Sequence, residues 1–358
     1  MTLSVGIVGL PNAGKSTLFN AITKSQVPAE NFPFCTIEPN KATIFVPDER
    51  VQKLSEFFKS QKTLFSTLDF YDIAGIVKNA HNGEGLGNKF LSHIRETDLI
   101  LFVLRGFEND NIIHTENRVD PKGDLEILKS ELLLSDIETL DRKILKTEKE
   151  AKGADKKAKE LLPKLLELKK FIGDGNFGVP EIFDEKEKKD LQMFVSKKFL
   201  VVVNVSEEGL ANFSEKNWAE KLQVSEQNIL PISAKLEQEL SEMSEEDAKI
   251  FLKDLGVLET SLERLVRKSF YELGLIQFFT SGEDETRSWT IKKGSKAPVA
   301  GGTIHTDFEN KFIKAEVISW NDLIELGGFA KAKEVGKLRI EGKDYIVQDG
   351  DVMIFKHG

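Results

Sequence analysis

With 358 residues, the chain is long enough for roughly two or three domains, and a hydrophobic content of 40% supplies a sizeable core. Its net charge of −9 argues against a generic nucleic-acid binder while leaving room for a local basic patch. The single cysteine, Cys35, excludes an internal disulfide and points to a reducing compartment; no basic leader precedes an apolar stretch, and the longest apolar runs, 99–104 and 199–203, are too short to span a bilayer, so a cytoplasmic protein with no membrane partner is expected.

In chain order, residues 4–8 read as a buried strand, followed by Gly9-Leu10-Pro11-Asn12-Ala13-Gly14-Lys15-Ser16-Thr17 and a helix-like run over 16–23. This is a complete G-x-x-x-x-G-K-S loop in the strand–loop–helix setting that a phosphate site requires. Its glycines let the backbone turn its N–H groups inward, and the helix N-terminus adds partial positive charge. Asn12, Ala13, Gly14, Lys15, Ser16 and Thr17 are therefore candidate nucleotide-binding residues. Lys15 is expected on the β/γ-phosphates, with a catalytic role, and the Ser16 hydroxyl on Mg²⁺. Thr36, in the loop before the next strand (42–46), sits where such enzymes place a second Mg²⁺ ligand.

The third strand, 67–71, leads into Asp72-Ile73-Ala74-Gly75. A D-x-x-G at this place fits a metal-shell aspartate and a glycine whose N–H senses the γ-phosphate. The next residue is Ile76, where many related switches carry the glutamine that orients the attacking water; isoleucine cannot do this. His81 lies in the switch-like loop that follows. The run Gly83-Glu84-Gly85-Leu86-Gly87 follows no strand, so it reads as a flexible switch segment rather than a dinucleotide fingerprint. Strand 99–104 precedes Phe107-Glu108-Asn109-Asp110 and a polar loop containing His114.

Residues from about 124 to 198 form an insertion. Leu133, Ile137, Leu140 and Ile144 repeat at helical-seam spacing, and Leu161, Leu162, Leu165, Leu166 and Leu168 form a second stripe after a turn at Gly153-Ala154-Asp155. An antiparallel helical arm is expected. Residues 142–170 carry far more Lys and Arg than Asp and Glu, which suits either a solvated face or a contact surface for RNA or an acidic partner. Strands 199–203 and 228–232 follow, completing an α/β pattern with a mainly parallel sheet whose ligand lies at the strands' carboxyl ends. From about Ile276 a small α+β region is expected, with strands at 288–291, 312–317, 345–347 and 352–355, a helix at 320–326, and Trp289, Phe308 and Trp320 in its core.

The base-selecting segment reads Asn204-Val205-Ser206-Glu207. Guanine-selective switches usually carry N-K-x-D here; the lysine is replaced by Val205 and the aspartate by the longer Glu207. Losing the matched acceptor weakens discrimination for guanine. Ser233-Ala234-Lys235, by contrast, is an ordinary guanine-enzyme sequence and keeps GTP open.

The chain resembles the Obg-like ATPases, the YchF subfamily of the Obg-related (TRAFAC) P-loop proteins, over nearly its whole length. The resemblance is carried by Gly9–Thr17, by Asn31-Phe32-Pro33-Phe34-Cys35-Thr36-Ile37-Glu38-Pro39-Asn40, by Asp72-Ile73-Ala74-Gly75-Ile76-Val77-Lys78, by residues 83–91, by Phe107-Glu108-Asn109-Asp110 and by Asn204-x-x-Glu207. Residues 302–308 and 341–347 resemble a TGS domain, a β-grasp module. The resemblance implies a P-loop domain over 1–275, interrupted by a coiled-coil arm at about 124–198, and a TGS domain over 276–358. It implies Mg²⁺-dependent hydrolysis of ATP, with GTP the poorer substrate, and association with ribosomes in translation or stress responses. It places Asn204, Val205, Glu207, Ser233 and Ala234 at the base, Ser16, Thr36 and Asp72 on the metal, Gly75 at the γ-phosphate, and a mobile histidine at His114, with His81 the second candidate for positioning water. Asn12 matches the asparagine with which potassium-stimulated relatives ligate K⁺, so K⁺ is expected as an activator. A monomer is expected. Two other readings stay open: a guanine-specific Obg-type GTPase, and a non-hydrolysing nucleotide-bound scaffold.

Overall fold

The computed structural model describes residues 3–25, 40–72, 86–108, 119–153, 155–254, 257 and 259–358. Among them are twelve strands: β1 (Ser4–Val8), β2 (Lys41–Phe45), β3 (Lys62–Leu64), β4 (Thr67–Asp72), β5 (Leu99–Arg105), β6 (Lys198–Asn204), β7 (Ile229–Ile232), β8 (Leu275–Ser281), β9 (Glu285–Lys292), β10 (Phe312–Ser319), β11 (Arg339–Glu341) and β12 (Asp351–His357). The helices that matter here are α1 (Lys15–Lys24), α2 (Glu49–Phe58), α3 (Leu86–Glu96), α4 (Pro121–Ala151) and α5 (Lys156–Gly173).

The chain forms two compact units, one of residues 3–42 and 69–262, the other of 43–68 and 263–358. This division differs from a boundary at 275/276. The reason lies in long-range pairing: β3 runs parallel to β9 with Lys62 opposite Glu285, and Val51 and Leu54 of α2 pack in one apolar cluster with Phe279, Ile318, Leu323 and Val352.

The first sheet has the order β2-β4-β1-β5-β6-β7. β1 is parallel to both β4 and β5, β5 to β6, and β6 to β7. All seven residues of β5 are buried, as a strand covered on both faces requires. β5 and β6 end level, with Arg105 opposite Asn204, while β1 ends three residues earlier, with Val8 opposite Phe102. Phe102, Leu104, Val201 and Val203 share a core with Leu125, Leu128 and Leu132 of α4.

The arm grows from that core. α4 starts at Asp120, whose side chain accepts from the Gly123 N–H, with Pro121 in the first turn, where its missing N–H does no harm. α5 folds back after Asp155 caps it through the N–H groups of Lys157 and Ala158. Leu133, Leu140 and Ile144 meet Leu165, Leu168 and Ile172. Leu166, expected on the seam, is 49% exposed, because one step beyond Leu165 turns a helical side chain off the buried stripe.

The second sheet has the order β11-β10-β12-β8-β9-β3 and is mixed: β8 and β9 are antiparallel, β12 and β8 parallel, β10 antiparallel to β11 and β12. Phe278 and Phe279 of β8 enter different apolar clusters, on opposite faces. Trp289 and Trp320 pack against these clusters, and Phe308 stacks on Phe355 and His357. The expected strand at 345–347 is not formed. Tyr345 and Val347 exchange backbone bonds with Ala297 and Ser295, and the only bridge there is Ile346 to Lys296, too short for a ladder.

Candidate nucleotide site

The loop after β1 carries the candidate phosphate-binding residues. Gly14 caps α1 at φ 95° and ψ 13°, with no side-chain cap bond, so the first N–H groups of α1 are free to meet an anion. Asn12 adopts φ 63°, a conformation that asparagine tolerates better than most residues. A Cβ on Gly14 would lie 2.1 Å from Asn204 Nδ2, so no larger residue fits.

Lys15 is 7% exposed and donates to the Leu10 carbonyl at 2.8 Å. Burial pulls its pKa down to about 8, against the opposing pull of Asp72. Asp72, the last residue of β4, has its pKa raised by burial, with Lys15 working in the other direction. Its Oδ1 is buried and, among the described residues, has no hydrogen-bond partner. An orphaned carboxylate oxygen suits a hard cation that takes oxygen ligands. Among the described residues there is no cluster of three or more His, Cys, Asp or Glu that could hold a metal ion.

Asn204, at the end of β6 and 5% exposed, ties the two ends of the site together. Its Nδ2 donates to the Ala13 carbonyl at 3.0 Å and its Oδ1 accepts from the Ala234 N–H at 3.1 Å. Val205 is buried and donates its backbone N–H to the Ile232 carbonyl. Ser206 caps the short helix Glu207–Ala211, placing Glu207 in its first turn. Ser233 caps Ala234–Leu240 through the Leu236 N–H.

The loop after β1 and the segments after β6 and β7 border a cavity of about 630 Å³, whose lining does not include Asp72. Its walls include Asn12, Gly14, Lys15, Ser16 and Thr17 from the loop after β1, and Asn204, Val205, Glu207, Ser233 and Ala234 from the segments after β6 and β7. Ala13 contributes through its carbonyl, beneath the surface. Phe107, Glu108, Ser206 and Lys235 also line the cavity. Phe107 was discoverable as the second residue past a buried strand, where ligands of parallel sheets bind. Thr36, Gly75, Ile76, His81 and His114 lie outside the described residues.

Comparison with known proteins decides the family. Residues 4–160 match a family model described as 50S ribosome-binding GTPase, and residues 275–358 match YchF-GTPase_C, described as a protein of unknown function (DUF933). Over 365 residues the chain is 47% identical to the ribosome-binding ATPase YchF of Bacillus subtilis (strain 168), covering 99% of both chains. The chain belongs to the YchF family. Obg-like ATPase 1 of Gallus gallus is 43% identical over 368 residues, covering 99% of this chain and 92% of that protein. The structure of the Schizosaccharomyces pombe YchF GTPase superposes with a TM-score of 0.88 at 35% identity, covering 99% of this chain and 98% of that one. The α/β architecture is thus that of a YchF protein, with a P-loop GTPase domain and the family's C-terminal domain. Among the described residues no helix is long and apolar enough to cross a membrane.

Proposed function

We propose that this chain is a Mg²⁺-dependent nucleoside triphosphatase that hydrolyses ATP in preference to GTP and works as a ribosome-associated switch in translation or stress regulation. The observation that carries the base preference is the far end of the cavity, where Val205 and Glu207 stand in place of a lysine–aspartate pair and the Asn204 side chain is committed to Ala13 and Ala234. Relatives at 42–47% identity bear the name ribosome-binding ATPase YchF, which supports both the nucleotide and the ribosome.

In this reading the α1 N-terminus and Lys15 hold the phosphates, and Asn204 keeps the phosphate loop and the base loops at fixed spacing. Ser16 and Asp72, joined by Thr36, would hold Mg²⁺, which when bound neutralises charge on the β- and γ-phosphate oxygens. With Ile76 unable to orient water, His114 is the first candidate for that role and His81 the second. Gly75 reports the γ-phosphate, and Asn12 gives K⁺ a place beside the phosphates. The arm or the TGS-like C-terminal region contacts RNA, and the protein is a cytoplasmic monomer.

The test is calorimetric binding of ATP and GTP with Mg²⁺, then phosphate release with and without K⁺, in the wild type and Lys15→Ala. Tighter ATP binding with slow turnover that Lys15→Ala abolishes supports the reading and leads to ribosome co-sedimentation. Turnover that persists in Lys15→Ala refutes the site. A clear preference for GTP favours the second reading, a guanine-specific switch, which rests on Ser233-Ala234-Lys235 with Lys235 on the cavity wall.

A further inference from the structure

β5 is aliphatic and aromatic until its last residue, Arg105, whose side chain is 2% exposed. Burying a guanidinium is costly unless its donors are used. The chain beyond it turns tightly against β6. The Gly106 N–H donates to the Asn204 carbonyl at 2.8 Å, and a Cβ on Gly106 would lie 2.5 Å from Val203 Cγ1 and 3.1 Å from Val205 Cγ1. That close approach delivers Phe107 to the wall of the cavity that Val205 also lines.

Arg105 then folds onto the residue two places ahead. Its Nε donates to the Phe107 carbonyl at 3.2 Å, and its guanidinium lies over the Phe107 ring, 4.8 Å from the centroid. One buried side chain therefore holds both the backbone and the ring of a half-buried residue that lines the cavity. A ring clamped in this way keeps an apolar surface in place before the ligand arrives, so less ordering entropy is lost on binding.

We propose that Arg105 is a positioning residue for the nucleotide base: by clamping Phe107 it holds an aromatic platform on which the purine of the bound nucleotide packs. This rests on the reading of the cavity as a nucleotide site. Packing on a π-face does not discriminate between purines, so Arg105 contributes to ATP and GTP alike, while the choice between them is made at Asn204–Glu207.

The experiment titrates the full chain with Mg-ATP, Mg-GTP and Mg-tripolyphosphate, which has no base, in the wild type, Arg105→Lys, Arg105→Gln, Phe107→Ala and the double variant Arg105→Gln/Phe107→Ala. The Arg105 and Phe107 variants each raise the Kd for ATP about ten-fold, the scale of one lost base–aromatic contact, and that for GTP by a similar factor. Tripolyphosphate binding stays within about two-fold, and the double variant is no weaker than Phe107→Ala, because both changes remove one platform. In turnover, KM for ATP rises while kcat holds. A parallel loss of tripolyphosphate affinity, additive effects in the double variant, or failure of both Arg105 variants to fold by circular dichroism would each show Arg105 to be structural and overturn the proposal. Failure of the underlying site reading looks different: the wild type would not bind ATP, or Lys15→Ala would bind it unchanged.

Discussion

Replacing Asn204 tests whether one side chain joins the two ends of the site. Its amide makes two buried bonds, donating to the Ala13 carbonyl at 3.0 Å and accepting from the Ala234 N–H at 3.1 Å. Asn204→Ala leaves both backbone groups without this partner, at about 1–3 kcal/mol each, so the nucleotide-binding unit should lose about 2–6 kcal/mol. Asn204→Asp keeps an acceptor for Ala234 but turns a carboxylate oxygen toward the Ala13 carbonyl, and should be at least as damaging. Because a Cβ on Gly14 would strike Asn204 Nδ2, Gly14→Ala should cost less in the Asn204→Ala background than alone, apart from the strain of its positive φ. The assay is urea denaturation in a Trp289→Phe/Trp320→Phe background. Trp218, the one tryptophan left, lies in the nucleotide-binding unit; ATP titration of each variant accompanies it. If Asn204→Ala unfolds within about 0.5 kcal/mol of its parent and binds ATP as tightly, the bridge carries no weight and the argument fails.

Three further outcomes are expected. The Lys15 pKa is pulled down to about 8 from 10.5 by burial, so between those values the unfolded chain holds a proton that the free folded protein has released, and the stability of the free protein rises with pH across that window. Phosphates favour the charged form, so ATP affinity should fall as pH climbs through about 8, with proton uptake on binding seen as a buffer-dependent calorimetric heat; Lys15→Arg should remove both effects. Burial pushes Asp136 up to about 6, with the Val195 and Phe194 N–H groups and Arg95 pulling the other way. Its charging therefore opposes folding, and the wild type should lose stability relative to Asp136→Asn, by about 1–3 kcal/mol, as pH rises from 3.8 through 6; equal slopes of stability against pH would refute this. In the arm, Leu140 is fully buried and Leu145 is 59% exposed, so in urea denaturation Leu140→Ala should cost about 2–5 kcal/mol and Leu145→Ala less than about 0.5 kcal/mol.

What the sequence determined by itself is what local pattern encodes. The phosphate loop needs only its own residues in strand–loop–helix order, and β1 falls on the expected 4–8 while α1 extends the expected 16–23 by one residue at each end. The runs at β5–β7 are continuous enough in apolar residues to be read before any pairing is known, and the arm is legible from the spacing of Leu133, Leu140 and Ile144. Tertiary structure decided whatever depends on distant partners. Lys62-Thr63-Leu64 has no strand signature of its own; it becomes β3 because β9, more than two hundred residues later, offers an edge, and this pairing draws residues 43–68 toward the C-terminal unit. Tyr345–Val347 has strand composition but finds only an irregular neighbour. The cavity itself is set by register: β5 and β6 lie parallel with Arg105 opposite Asn204, so Phe107 and Val205, almost a hundred positions apart, come to line one cavity, which no local periodicity could bring about.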